Sequence, residues 1–243
     1  SELEKIDRLL EKVLRENKRA LDELVRLLEE LIKTNRDALE KLREINERNI
    51  ERLREEVKDV SERVKEELKR VAEESRRLIK KLKEDSEKTV RELRKLIEEL
   101  RKRSKETIDR LRELIKRVRE KGRRDKEAVK RLVDIHRRNL ELLEDVVRKL
   151  LKLHEENLRL LEEAVRRILE LDKKVLDKLR KDLDKKVLED LERHLEESKK
   201  TVERLVRELR KTHRKVEEDV KRLIEELRRL HEELRKRLED DDR

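Results

Sequence analysis

The 243-residue chain contains no cysteine, proline, phenylalanine, tryptophan, tyrosine, methionine or glutamine, and its single glycine is Gly122. Each absence excludes something. Without Cys there is no disulfide framework, thiol redox centre or thiolate metal site, so stability must come from packing. Without aromatic rings there are no stacking platforms for single-stranded nucleic acid and no Trp or Phe anchors for a lipid surface. An ordinary chain of this length would carry about 17 Gly and about 12 Pro, so turns should be few and helices long. No apolar run approaches the roughly 18 residues of a membrane span, and the N-terminus has no signal-peptide pattern.

What is present is charge. Lys and Arg number 75 against 65 Asp and Glu, 58% of the chain in all, for a net charge of +10. Such a balance attracts anionic surfaces without specificity, but the two signs alternate along the chain and form no block. No specific nucleic-acid partner and no membrane partner are therefore expected. Surface positions filled almost wholly with Glu, Lys, Arg and some Asp reflect a choice for helix propensity and solubility. The composition is that of a designed sequence, with no natural compartment: a soluble recombinant protein.

Chains this charged are often disordered, yet here the apolar residues keep helical time. From Leu3 onward one recurs every three or four positions, through Leu10, Leu24, Leu28, Leu31 and Leu39 and on to Leu111, Leu114 and Val118. A strict heptad from Leu10 fails at Arg52 and Asp59. An 18-residue repeat succeeds, in the ladders Leu10, Leu28, Asn46, Val64, Leu82, Leu100, Val118 and Leu3, Leu21, Leu39, Val57, Ser75, Leu93, Leu111. Eighteen residues make five turns of an untwisted helix. The fold class is all-α, and the spacing predicts one straight helix over residues 2–120.

Gly122 lies almost at the midpoint, after a cationic turn suited to a helix C-terminus, and Asp125 follows as an N-cap. Residues 121–125 are the expected loop and 126–241 a second helix. The chain then reads as a single elongated antiparallel helical hairpin over 1–243, with two helices of about 120 residues, each on the order of 175 Å long.

Polar residues at buried phase carry the register. In a hairpin centred near residue 123, residues at one level have numbers summing to about 247. His231 with Asn17, His213 with Asn35, Ser198 with Asn49, Asn157 with Thr89 and Asn139 with Thr107 all obey this. Asn46 stands on the first ladder, His194 is close in level to Asn49, Thr212 adjoins His213, and Asp172, 18 beyond His154, matches Ser75. The pairs are modular: His136 with Asn139 recurs as His154 with Asn157, and Ser86 with Thr89 as Ser104 with Thr107. A buried polar side chain is costly when unpaired and cheap when satisfied, so such layers penalise wrong registers.

These H-x-x-N modules facing S-x-x-T modules resemble de novo designed helical-hairpin homo-oligomers built around buried hydrogen-bond networks, in detail at the two modules and in style along the whole chain. The resemblance implies a structural protein with no enzymatic activity and no cofactor. Some members of that family use His networks to come apart in acid; the residues here leave open whether the five His switch or are satisfied network members.

Two helices alone need only a narrow apolar seam, about two residues in seven, and the faces around Leu24 to Ile32 and Leu140 to Leu153 are wider. A second copy is the expected partner, a homodimer before a homotrimer, giving a four- or six-helix bundle. No two His stand four apart, and Ser, His and acid do not cluster, so neither a metal, a catalytic site nor a small-molecule ligand is expected.

Overall fold

The helices form as the spacing dictates but turn twice more than the hairpin allows. The structure, a computed structural model, describes residues 2–121 and 125–239 and contains, among these, four helices and no strand: α1 (Glu2–Glu56), α2 (Glu62–Lys121), α3 (Lys126–Leu179) and α4 (Lys185–Glu239). The two helices of about 120 residues are thereby corrected. Each is cut by a five-residue turn, 57–61 in the first half and 180–184 in the second. Gly122 lies outside the described residues. Asp125 does cap α3: its Oδ1 accepts from the Ala128 N–H at 3.1 Å and it is paired with Arg117 at 3.0 Å.

Neither new turn contains Gly or Pro; both spell Lys-Asp-apolar-capping residue. Lys58-Asp59-Val60-Ser61 and Lys181-Asp182-Leu183-Asp184 each end on a residue whose carbonyl accepts the first hydrogen bond of the next helix, Lys65 N–H to Ser61 and Leu188 N–H to Asp184. Each turn opens by continuing the preceding helix for one bond, Val57 N–H to Leu53 and Arg180 N–H to Leu176. Apolar residues of both turns join one cluster: Val57 is buried beside Leu53, Leu68, Val175, Leu179 and Leu191, with Val60 and Leu183 packed on it. The chain reverses there because that burial replaces what an unbroken helix would leave exposed.

By packing, the chain divides into two units, one drawn from residues 1–30, 91–153 and 214–243 and the other from 31–90 and 154–213, so each helix contributes to both. The second unit is a ring of four helix pairs. α1 meets α2 at Asn46–Ser75 and Glu47–Arg76, α2 meets α3 at Glu67–Lys178, α3 meets α4 at His154–His213, and α4 returns to α1 at Ser198–Asn49. Its core joins Ala38, Leu42, Ile79, Leu82, Leu158, Leu161, Val202 and Leu209. In the first unit α1 meets α2 at Glu11–Arg119 and Glu29–Arg101, α3 at Asn17–His136, and α3 meets α4 at Glu144–Arg228. This is up-and-down four-helix packing made by one chain.

Much of the wide faces is buried within the one chain, while Leu142, Leu151 and Leu153 stay half-buried. Leu24, Leu28, Leu143 and Leu150 are all buried, and the only large apolar side chain exposed among the described residues is Leu160. Most ion pairs run between neighbours three or four apart on solvent-facing surfaces, as at Arg131–Glu127 and Lys149–Asp145, and each contributes only a few tenths of a kcal/mol.

Candidate functional site in the buried polar layers

Twelve of the expected polar residues are buried: Asn17, Asn35, Asn46, Asn49, Ser86, Ser104, His136, Asn139, His154, Asn157, His213 and His231. Their partners differ in part from the sums.

In the first unit Asn17 is the hub. Its Nδ2 donates to the Val13 carbonyl at 2.7 Å and lies 2.8 Å from His136 Nε2, while its Oδ1 accepts from Asn139 Nδ2 at 3.0 Å. An amide nitrogen only donates, so His136 Nε2 must accept and its proton must sit on Nδ1. That nitrogen faces His231 Nδ1 at 2.9 Å, which accepts in turn and leaves the His231 proton on Nε2. Every ring position between Asn17 and His231 is thus committed, and the expected level of Asn17 with His231 is realised through His136. The rings lie stacked, their centroids 5.1 Å apart.

The second unit repeats the motif with different ends. His154 and His213 stack with centroids 4.7 Å apart and Nδ1 atoms 2.7 Å apart. Glu155 lies 3.4 Å from His213 Nε2. The carboxylate is kept ionised, its pKa below the ordinary value: burial raises it, and Arg210 at 3.1 Å, by hydrogen bond and charge, outweighs that. A carboxylate accepts, so it suits a proton on His213 Nε2, which leaves His213 Nδ1 to accept from His154; the His154 Nε2 is buried without a hydrogen-bond partner. Asn35 and Asn157 both donate to Ser86 Oγ, at 3.3 and 3.5 Å, so Asn35 reaches Ser86 where His213 was expected.

Burial governs the protonation of both inner rings. It drives His136 down to about 3, with the neighbouring His231 adding to the effect. Burial likewise brings His154 down to about 4 with help from His213, while Glu155 and the Leu31 main chain pull weakly upward. His231 is lowered too, first by burial.

Of the remaining expected residues, Asn49 accepts from Ser198 at 2.8 Å, as its level required. Asn46 donates to Ser75, whose hydroxyl also returns to the Ala72 carbonyl; Ser75 thus belongs to a layer with Asn46 and not with Asp172. Thr89, Thr107 and Thr212 turn back to the carbonyls of Asp85, Arg103 and Glu208 and make no layer contact across helices. This is the ordinary fate of a Thr at helical phase, and it corrects the pairings of Thr89 with Asn157 and Thr107 with Asn139. His194 Nε2 and Ser104 Oγ are buried without partners.

The orphan hydroxyl gives an expected result. Ser104→Ala removes a desolvated group and no hydrogen bond, so the variant should melt at or above the parent temperature, gaining up to about 1 kcal/mol. Loss of more than 1 kcal/mol in a thermal or urea melt would mean that Ser104 is a paired member of the layer.

Among the described residues no helix is long and apolar enough to cross a membrane. No protein-family model, curated protein or solved structure matches the chain.

Proposed function

We propose that the chain is a de novo designed structural scaffold, not an enzyme, whose activity is the specific association of helices into a bundle registered by buried polar layers. The observation that carries this reading is the Asn17, His136, His231 and Asn139 network, in which three donor–acceptor contacts join three helices at 2.8 to 3.0 Å and only Asn139 Oδ1 is left buried without a donor. A shift of any helix by one turn would bury those groups unpaired, at a cost of several kcal/mol. Apolar burial supplies the driving force and the layers choose among registers.

A second reading, opening in acid, is favoured by the His pairs: protonating His136 puts a proton on the Nε2 that accepts from Asn17, which breaks that bond and buries a charge. Light scattering on chromatographically separated protein at pH 7.5 and 4.5, with circular dichroism on the same fractions, tests both readings. The expected mass at pH 7.5 is that of one chain, 30.0 kDa. Twice or three times that mass would place the association between copies, as a homodimer or homotrimer. Broad, non-integral masses would sink the scaffold reading, and unchanged helicity and melting at pH 4.5 would sink acid opening.

A further inference from the structure

The layers leave one half-buried acid unused. Asp172 of α3 lines a groove of about 830 Å³ between α3 and α4 in the second unit, walled by Val165, Leu169, Leu176, Leu195 and Val206. Among the described residues no hydrogen bond or ion pair reaches the Asp172 carboxyl, and burial pushes its pKa up to about 7. A carboxyl on a solvated helix face would not behave so. It lies where a cation could reach it and where none of the protein's own cations does.

The rim is acidic against the trend of the chain. Around Asp172 stand Glu162, Glu170, Asp177, Glu192, Glu196 and Glu203. Five cations answer these seven carboxylates: Arg166, Lys173, Arg180, Lys199 and Arg207. Arg180 is already tied to Asp177 and Glu192, both at 3.4 Å, across one end. Arg210, just outside the lining, pairs with Glu162 at 2.5 Å, so the groove carries a small net negative charge when Asp172 is ionised, on a protein of net +10. Its apolar walls offer burial to a hydrocarbon or aryl group, and its unpaired, partly desolvated carboxyl offers an ammonium the strongest available partner.

We propose that this groove binds a lipophilic organic monocation, an ammonium carried on an aryl or alkyl body, with Asp172 as its counter-ion. The apolar body displaces water from the Leu169, Leu176 and Val206 walls, and the ammonium supplies the missing donor to Asp172. A second copy of the chain or a neutral apolar molecule would use the walls and not the carboxylate, so charge separates the occupants.

The test uses the full chain at pH 8 with dansylcadaverine, a primary ammonium on a fluorescent aryl body, against its neutral N-acetyl derivative. Saturable binding to one site is expected, with a blue-shifted emission, at least tenfold tighter than the acetylated compound. Asp172→Asn should weaken the cation at least tenfold and leave the neutral compound unchanged. That variant removes an unpaired, half-buried charge, so its melting temperature should not fall, and lost binding cannot then be put down to unfolding. Equal binding of the two compounds, equal binding by Asp172→Asn, or no saturable binding would each overturn the proposal. So would a doubled mass at the working concentration with the probe excluded, which would assign the groove to a second copy.

Discussion

Lowering the pH from 7.5 to 4.5 is expected to destabilise the folded chain by about 3 kcal/mol. His136 and His154 have folded values of about 3 and about 4 against 6.5 when unfolded. A base whose folded value is depressed is stabilising above the unfolded value, and that stability is lost as the pH falls from 6.5 toward the folded one. Over two pH units below 6.5 each ring contributes about 2 to 3 kcal/mol of loss, and the two together about 5. Asp172 opposes them. Its folded value of about 7 lies above the usual 3.8, so the folded state gains stability as the pH falls from 7 toward 3.8. Water in the open groove screens that carboxyl, which reduces the gain to about 2 kcal/mol. The net loss should lower the melting temperature by about 6 to 12 °C in a chain of this size. Stopping at pH 4.5 keeps most paired carboxylates, such as Glu47 beside Arg76, out of the titration. The Asp172→Asn variant lacks the compensation and should lose about 5 kcal/mol over the same range. A flat profile, or a parent that gains stability in acid, would mean that the inner rings are not buried as described.

Asn17→Ala is expected to cost about 4 kcal/mol, the largest effect of any single polar substitution here. Three bonds meet on this side chain. Truncation leaves the Asn139 amide without its acceptor and His136 Nε2 without its donor, both in a layer that excludes water, and opens a small cavity besides. Each stranded group costs about 1 to 3 kcal/mol. Thr212→Ala serves as the contrast, since its hydroxyl only returns to its own helix at 3.0 Å; it should change stability by less than about 0.5 kcal/mol. Urea melts at pH 7.5 read both. Equal small effects would reduce the layers to incidental polar residues.

The helical period, the polar layers and the Asp125 cap were legible in the sequence because each rests on local spacing. The fold-back was not, for two reasons. The ladders chosen, from Leu10 and from Leu3, happen to stay apolar or small in both halves of the first hairpin. Their neighbour does not: Ala20 and Ala38 are buried, but the same 18-residue step then lands on Glu56, Glu74 and Glu92, and of these Glu74 and Glu92 are exposed. In reverse, Ile108, Val90 and Ala72 project onto Arg54 and Arg36. The buried face therefore rotates between α1 and α2, which a single straight helix cannot do. His136 and His154 likewise step onto Asp172 and Asp190, neither of them a layer residue, while Leu227, Leu209 and Leu191 step back onto exposed Lys173.

The second reason is that residue numbers summing to about 247 describe two different molecules equally well. A long hairpin pairs its arms that way, and so does a folded-back bundle in which α1 neighbours α4; the Asn49–Ser198 bond satisfies both. Glycine marks neither of these turns; the repeated Lys-Asp-apolar-Ser/Asp tetrapeptide carries both through its capping residue, a weaker local signal than a glycine. Side-chain direction also escaped the spacing: Thr89 and Ser86 stand three apart on one face, yet only the serine reaches across.

The reversal at 57–61 is the claim on which the bundle depends, and crosslinking tests it most directly. Glu47 and Arg76 are joined side chain to side chain at 2.8 Å, though 29 residues apart. In one unbroken helix those residues would be about 43 Å apart, beyond any short linker. A Glu47→Cys, Arg76→Cys double variant, in a chain with no other cysteine, treated in dilute solution with a short bis-maleimide, should yield a product of single-chain mass whose tryptic peptides from α1 and α2 are joined. Crosslinks found only between chains, at twice the mass, would contradict the fold-back and restore two long helices.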